Sequence, residues 1–258
     1  MCSVGVFHSA HSWSAKAGTS CAISVGGISA LSRKGGTSVP NEDCLYAYDD
    51  GHRVVHIVAD GHHGHEASHE LVESLAAVFD ERGPDFDPIE AIEAAYHRHA
   101  QKTAEATGAM AHPLSPSSSR STLVISCLDR DAGRLHGVSI GDSAVFVGSL
   151  ADGVQRVVES TQLYAAPWDF DSLVVPAGGH FSVPVTTGTW IVTCTDGITE
   201  CQYGKPDTSI QPRHLETLMI RASGDPDRFI DEAASLALQG VDGHPGGEDN
   251  IAILASLA

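Results

Sequence analysis

Positive charge is scarce in this chain. Fifteen lysines and arginines stand against 33 aspartates and glutamates, for a formal charge of −18 at pH 7. That deficit argues against nucleic acid and anionic membranes as general partners, because both would repel the protein, and it makes a cation the more natural ligand. Cysteine is sparse as well. The six residues at 2, 21, 44, 127, 194 and 201 form no C-x-x-C pair and no short-spaced framework, which is reduced, cytoplasmic usage. Cys127 and Cys194 fall inside apolar runs and read as core. No basic region leads into an apolar stretch at the start, and no run approaches the roughly 18 apolar residues of a membrane span. A soluble, cytoplasmic protein is expected, and no internal repeat is evident.

What is present suits one large domain. With 258 residues, 42% of them hydrophobic, a single core-bearing domain over 1–258 is expected, with 1–20 a loose start that contributes a strand at Val4–Phe7. Alternating apolar positions predict a strand over Ile23–Leu31, interrupted at Gly26-Gly27, and then a turn at Arg33-Lys34-Gly35-Gly36. Cys44–Tyr48 and Arg53–Ala59 read as a hairpin around Asp49-Asp50-Gly51. Leu71, Leu75, Val78 and Phe79 have helical spacing. A second helix starts at Asp87-Pro88 and runs to about Gly108, where a Pro- and Ser-containing connection begins. A β meander covers Thr122–Leu128, Arg134–Ile140 and Ala144–Val147, and 161–188 shows no clear period. A strand at Trp190–Thr195, helices at Arg213–Arg221 and from Asp225 to Gly240, and a strand at Ile251–Ala255 complete the series.

Acidic residues sit at the ends of the apolar β runs. Asp60 and Asp196 each precede Gly, Asp249 precedes Asn, and Glu42-Asp43 and Asp142 occupy similar strand-edge positions. A lone aspartate there is an ordinary turn residue. Several carboxylates gathered at one end of a sheet would repel one another unless a metal neutralised them. All-oxygen ligation suits Mg²⁺ or Mn²⁺, and two such ions can lower the pKa of a shared water and hold a phosphoryl group in line. Hydrolysis of a phosphate ester is the chemistry implied.

On these residues the sequence resembles the metal-dependent protein phosphatases of the PP2C (PPM) family. The matching segments are Asn41-Glu42-Asp43, Val58-Ala59-Asp60-Gly61-His62 through Gly64-His65, Arg120-Ser121-Thr122-Leu123, Gly141-Asp142-Ser143, Thr195-Asp196-Gly197-Ile198 with Glu200, and Asp249-Asn250. They occur in the family's order. The resemblance implies an α+β fold, a four-layer α-β-β-α sandwich with two central antiparallel sheets flanked by helix pairs. It also implies dephosphorylation of phosphoserine or phosphothreonine by a water activated between two metal ions. By position, Asp60, Asp196 and Asp249 hold one Mn²⁺ or Mg²⁺, while Asp60, the Gly61 carbonyl and Glu42 hold the other. Asp43 is a further or alternate ligand, and Asp142, Asp196 and Glu200 match a weaker third site. His62 matches the general acid. The expected partners are phosphorylated proteins, substrates of a Ser/Thr kinase in a signalling pathway, met by a monomer.

The chain departs from the family pattern in places. Ser38 and Ala144 stand where arginines are usual, which leaves Arg33 and Lys34 as candidates to bind substrate phosphate. The span between Gly153 and Thr189 is short for the family's substrate-side flap region. Two other readings compete. The segment His65-Glu66-Ala67-Ser68-His69 is formally the H-E-x-x-H helix of zinc peptidases. The Ser38 and Ala144 departures also suit a catalytically inactive relative that binds metal or a partner.

Overall fold

The structure is a computed structural model that describes residues 4–7, 12–15, 21–25, 28–33, 41–83, 87–107, 118–168, 175–202, 204–247 and 249–258. Its first strands are β1 (Val4–Phe7), β2 (Ser12–Ala15), β3 (Cys21–Val25), β4 (Ile28–Arg33), β5 (Cys44–Asp49), β6 (Arg53–Ala59) and the two-residue β7 (Gly61–His62). Helices α1 (Glu66–Arg82) and α2 (Pro88–Thr107) follow. Next come β8 (Arg120–Ser121), β9 (Leu123–Asp129), β10 (Arg134–Ile140), β11 (Ala144–Ser149), β12 (Gly153–Arg156), β13 (His180–Pro184) and β14 (Trp190–Cys194). The short α3 (Asp196–Thr199), α4 (Pro212–Ala222), α5 (Pro226–Gln239) and β15 (Ile251–Leu257) close the described chain. No helix among the described residues is long and apolar enough to cross a membrane.

Two antiparallel sheets form the centre, ordered β1-β2-β5-β6-β9-β10-β13 and β12-β11-β14-β15-β4-β3. Alternation along the strands sorts the apolar residues into three layers. Leu45, Val58, Val124, Val145, Ile191 and Leu254 fill the space between the sheets. The opposite face of the first sheet, with Tyr46, Ile57 and Ile125, packs on Leu71, Leu75, Phe79 and Ile92 of α1 and α2. The opposite face of the second sheet, with Val192 and Ile253, packs on Leu215, Leu218, Phe229 and Ala233 of α4 and α5. The expected α-β-β-α sandwich is therefore present, and each fully buried Leu or Phe in it contributes roughly 1.5–3 kcal/mol of burial energy.

Local chemistry starts the helices where expected. Asp87 Oδ1 accepts from the N–H groups of Ile89 and Glu90, and Asp225 Oδ1 accepts from those of Asp227 and Arg228, each just before a proline at the first helical position. Elsewhere the structure refines the sequence reading. The predicted strand over 23–31 is two antiparallel strands, with Val25 opposite Ile28, and Arg33 belongs to β4 rather than to the turn. The start contributes two strands where one was expected, because β2 finds an edge on β5. The illegible 161–188 stretch yields β13, paired with β10. The connection expected after Gly108 lies largely outside the described residues.

A small polar group of side chains is sealed between the sheets. His56 is 1% exposed, with Nδ1 3.3 Å from Thr193 Oγ1, which in turn lies 3.1 Å from Ser126 Oγ. Burial, helped by the Arg130 charge, pushes the imidazole down to about 3. The unfolded chain takes up this proton near pH 6.5 and the fold does not. The stability His56 contributes is thus complete above pH 6.5 and is lost as pH falls from there towards 3, at up to ~1.4 kcal/mol per pH unit. Urea unfolding of the native protein and of His56→Gln between pH 7.5 and 5 should give stability curves that converge on acidification. Parallel curves would show that His56 is not held neutral.

Candidate metal centre

The register of the two sheets brings the acidic segments to one end of the sandwich. In the first sheet Cys44 pairs with Ala59, so Asp43 and Asp60 lie side by side where β5 begins and β6 ends. In the second sheet Cys194 lies between Ala144 and Ile253, so Asp142, Asp196 and Asp249 emerge from adjacent strands. The Gly141-Asp142-Ser143 turn carries the chain from one sheet to the other. Gly141 has φ +101°, and a Cβ there would stand 2.6 Å from the Thr122 methyl, so glycine lets this turn lie directly on β9.

Thr122 fixes the backbone of Asp60. Its N–H donates to the Asp60 carbonyl at 2.9 Å, its Oγ1 accepts from the Asp60 N–H at 3.1 Å, and that same hydroxyl lies 2.7 Å from Ser143 Oγ. The Ser121 hydroxyl also donates to the Asp60 carbonyl, at 2.9 Å. The Arg-Ser-Thr segment is thus a backbone clamp on the central aspartate. Gly61 is close-packed, since a Cβ there would stand 2.8 Å from the carbonyl oxygens of both Glu42 and Gly64.

Carboxyl oxygens of Asp60, Asp142 and Asp196 lie within 4.8 Å of one another, the only group of three or more His, Cys, Asp or Glu ligand atoms that converges in this way among the described residues. Asp43 lies deeper and accepts a 2.7 Å hydrogen bond from the Thr195 hydroxyl. Burial, then the neighbouring carboxylates, raise Asp60 well above the ordinary range. Asp43 is raised by burial and by Asp196 and Asp249, while the Thr195 bond opposes the rise. Asp196 is pushed up to about 7, by burial first and then by Asp249 and Asp142. Asp142 and Asp249 are raised mainly by burial. Asp142 Oδ1 is buried without a hydrogen bond. This donor set fits hard divalent cations: oxygen atoms only, mutually repelling, with one buried lone-pair oxygen unsatisfied.

The other expected residues are placed less uniformly. Glu42 lies beside the cluster, with Oε1 accepting the Gly64 N–H at 2.7 Å, and Glu200 accepts the Gly204 N–H at 2.7 Å. Asp249 acts electrostatically on Asp43, Asp60 and Asp196 but is outside the closest trio, whereas Asp142 is inside it. His62 stands at the rim with its ring 4.9 Å from that of Tyr164, and its Nδ1 is buried without a hydrogen bond. Arg33 ends β4 opposite Ile251, and Lys34 lies outside the described residues. Arg156 was not anticipated from the sequence. Its Nη2 donates to the Asp142 carbonyl at 2.8 Å from β12, the strand beside the Ala144 strand, so only the pairing of β11 with β12 reveals it.

The His65 and His69 rings do lie close, with centroids 4.8 Å apart and planes tilted by 54°, one helical turn apart. No third ligand joins them among the described residues, so the zinc-peptidase reading is not favoured.

Comparison with known proteins places this geometry. A sequence profile of protein phosphatase 2C matches residues 35–222. No curated protein matches. Among solved structures, the catalytic domain of the serine/threonine protein phosphatase PstP in complex with two manganese ions aligns at 18% identity and TM-score 0.59, covering 90% of this chain and 97% of that one. The RsbU and RsbW domains of Rv1364c from Mycobacterium tuberculosis align at 23% identity and TM-score 0.61, covering 89% of this chain, and a C. elegans sex determining protein aligns at 17% and 0.58, also covering 89%. The chain spans 59% and 64% of the lengths of those last two. With the α-β-β-α sandwich, the acidic end of its sheets and a profile match over most of its length, the chain belongs to the protein phosphatase 2C family.

Proposed function

We propose that the whole chain is a single phosphatase domain, a monomer in the cytoplasm, that hydrolyses phosphoserine and phosphothreonine in proteins phosphorylated by a Ser/Thr kinase. The observation that carries this reading is the convergence of Asp60, Asp142 and Asp196 beside His62. Asp60, Asp196 and Asp249, with Glu42 and the Gly61 carbonyl, would hold two Mn²⁺ or Mg²⁺ ions, and Asp142, Asp196 and Glu200 would hold a weaker third. Bound there, the ions would supply a water acidic enough to attack phosphorus at neutral pH and a clamp for the phosphoryl oxygens. Asp43, deeper and bonded to Thr195, keeps Asp60 and Asp196 in place. His62 holds a proton on its ring at the rim, oriented by the Tyr164 face, and delivers it to the departing serine or threonine oxygen.

The pKa shifts set a sign. The metal-free carboxyls of Asp60 and Asp196 are raised, so part of the cluster is protonated near neutrality, and metal binding must release protons. Affinity for Mn²⁺ should therefore fall as pH drops from 8 through 7 towards 6. The test is hydrolysis of an aryl phosphate and a phosphothreonine peptide with Mn²⁺, with Mg²⁺ and after chelation, with Mn²⁺ titrations at pH 6 and 8. Turnover that requires either ion and vanishes with chelator is expected. Turnover that persists in chelator would overturn the assignment, and metal binding without any turnover would favour the inactive relative.

A further inference from the structure

The family's usual phosphate-binding arginine is Ser38 here, and a centre this acidic needs some cation to receive a phosphate dianion. The β7–β8 ribbon offers one. His62 and Arg120 are direct antiparallel partners in it, as are Gly61 and Ser121. Residues directly opposite in such a pair share a face, with Cβ atoms about 5 Å apart. The burial agrees: Ser121 is fully buried and turns its hydroxyl onto the Asp60 carbonyl, while Arg120, on the other face with the half-buried His62, is exposed. Ala165 extends the ribbon through paired hydrogen bonds with Ser121 at 2.7 and 2.8 Å, and Tyr164 beside it lies against His62. Basic residues are rare in this chain, and Arg156, the other described arginine side chain close to the acidic end, holds the carbonyl of Asp142. Arg33 also ends its strand there, opposite Ile251, but its side chain lies outside the described residues. The Arg120 side chain makes no hydrogen bond or ion pair with another described residue.

We infer that Arg120 is the substrate-binding residue that engages the phosphate group of the phosphoprotein, beside His62 at the rim of the carboxylate centre. A guanidinium suits this place because it presents paired N–H donors to two phosphate oxygens and cannot lose its charge there. It also supplies what the sequence lacks at Ser38, from a segment that otherwise serves only to clamp Asp60. The inference rests on the phosphatase reading, and the experiment separates the two.

Arg120→Ala and Arg120→Lys are compared with the native protein, all loaded with Mn²⁺. Inhibition by inorganic phosphate, kcat and KM on an aryl phosphate and on a phosphothreonine peptide, and Mn²⁺ affinity by calorimetry are measured. Losing a charge-assisted bond to phosphate should raise the inhibition constant of phosphate, and the KM of both substrates, by about tenfold or more. Lysine should recover part of the loss, and Mn²⁺ affinity should hold. Unchanged phosphate inhibition would overturn the inference. So would a loss confined to the peptide, which would make Arg120 a reader of flanking residues, and so would a parallel fall in Mn²⁺ affinity, which would make its role structural. If the native protein turns over neither substrate, the phosphatase reading fails by itself. Calorimetry of inorganic phosphate on the Mn²⁺-loaded proteins then decides about Arg120: tighter binding to the native protein supports it, and equal binding overturns it.

Discussion

Asp60→Asn should abolish Mn²⁺-dependent turnover while making the metal-free protein more stable. The two effects have one cause. Asp60 is 7% exposed, bonded to Asp196, and pressed by Asp43, Asp196 and Asp249, so its ionisation is opposed by burial first and by like charge next. A group whose pKa is raised by folding contributes stability below its unfolded value, and that contribution disappears as pH rises through the folded value. Asparagine, nearly the same in shape, removes the burial and like-charge cost of ionising this position in the metal-free fold. Lowering that cost by about 1–3 kcal/mol would raise Tm by roughly 5 °C for a chain of this size. Activity should fall by more than about a hundredfold, since even outer-sphere changes around a metal cost roughly 10–100-fold. Melting curves in chelator and assays in saturating Mn²⁺ check both halves. A variant that is destabilised without metal would show that Asp60 is a structural hydrogen-bonding group, and one that turns over normally would remove it from the centre.

Changing His62 to Gln should separate substrates by their leaving groups. An aryl oxide departs without a proton, whereas a serine or threonine alkoxide needs one, so a rim imidazole that donates it matters only to the second class. The variant should lose about a hundredfold or more in kcat on a phosphothreonine peptide and less than about tenfold on an aryl phosphate, within the range of general acid catalysis. The unpartnered Nδ1 and the Tyr164 contact motivate this assignment. Equal losses on both substrates falsify it and leave His62 a ligand or packing role. Mn²⁺ affinity measured on the same variant tells those two apart.

Much of this protein was legible before folding. The Asp87-Pro88 and Asp225-Pro226 starts, the β5–β6 hairpin around Asp49-Asp50-Gly51 and the long helix spacing of α1 are local signals, carried by residues within one or two turns of each other. The order of acidic segments was enough to suggest both family and metal. Less visible were features whose partners lie far along the chain. Strand β13 depends on an open edge at β10, and β2 on one at β5, so neither sequence needs a strong period of its own.

The amino-acid sequence by itself determined which chemistry is available here: oxygen ligands at strand ends, a histidine two residues beyond Asp60, and little positive charge to compete with a metal. Tertiary structure alone decided which of those carboxylates meet. It put Asp142 within 4.8 Å of Asp60 and Asp196, turned Glu200 onto the Gly204 N–H, set Arg156 on the Asp142 carbonyl and placed Arg120 opposite His62. The physical reason is register. Strand periodicity tells which face a side chain takes, but only the pairing of strands separated by many residues aligns their ends, and the site exists only where those ends coincide.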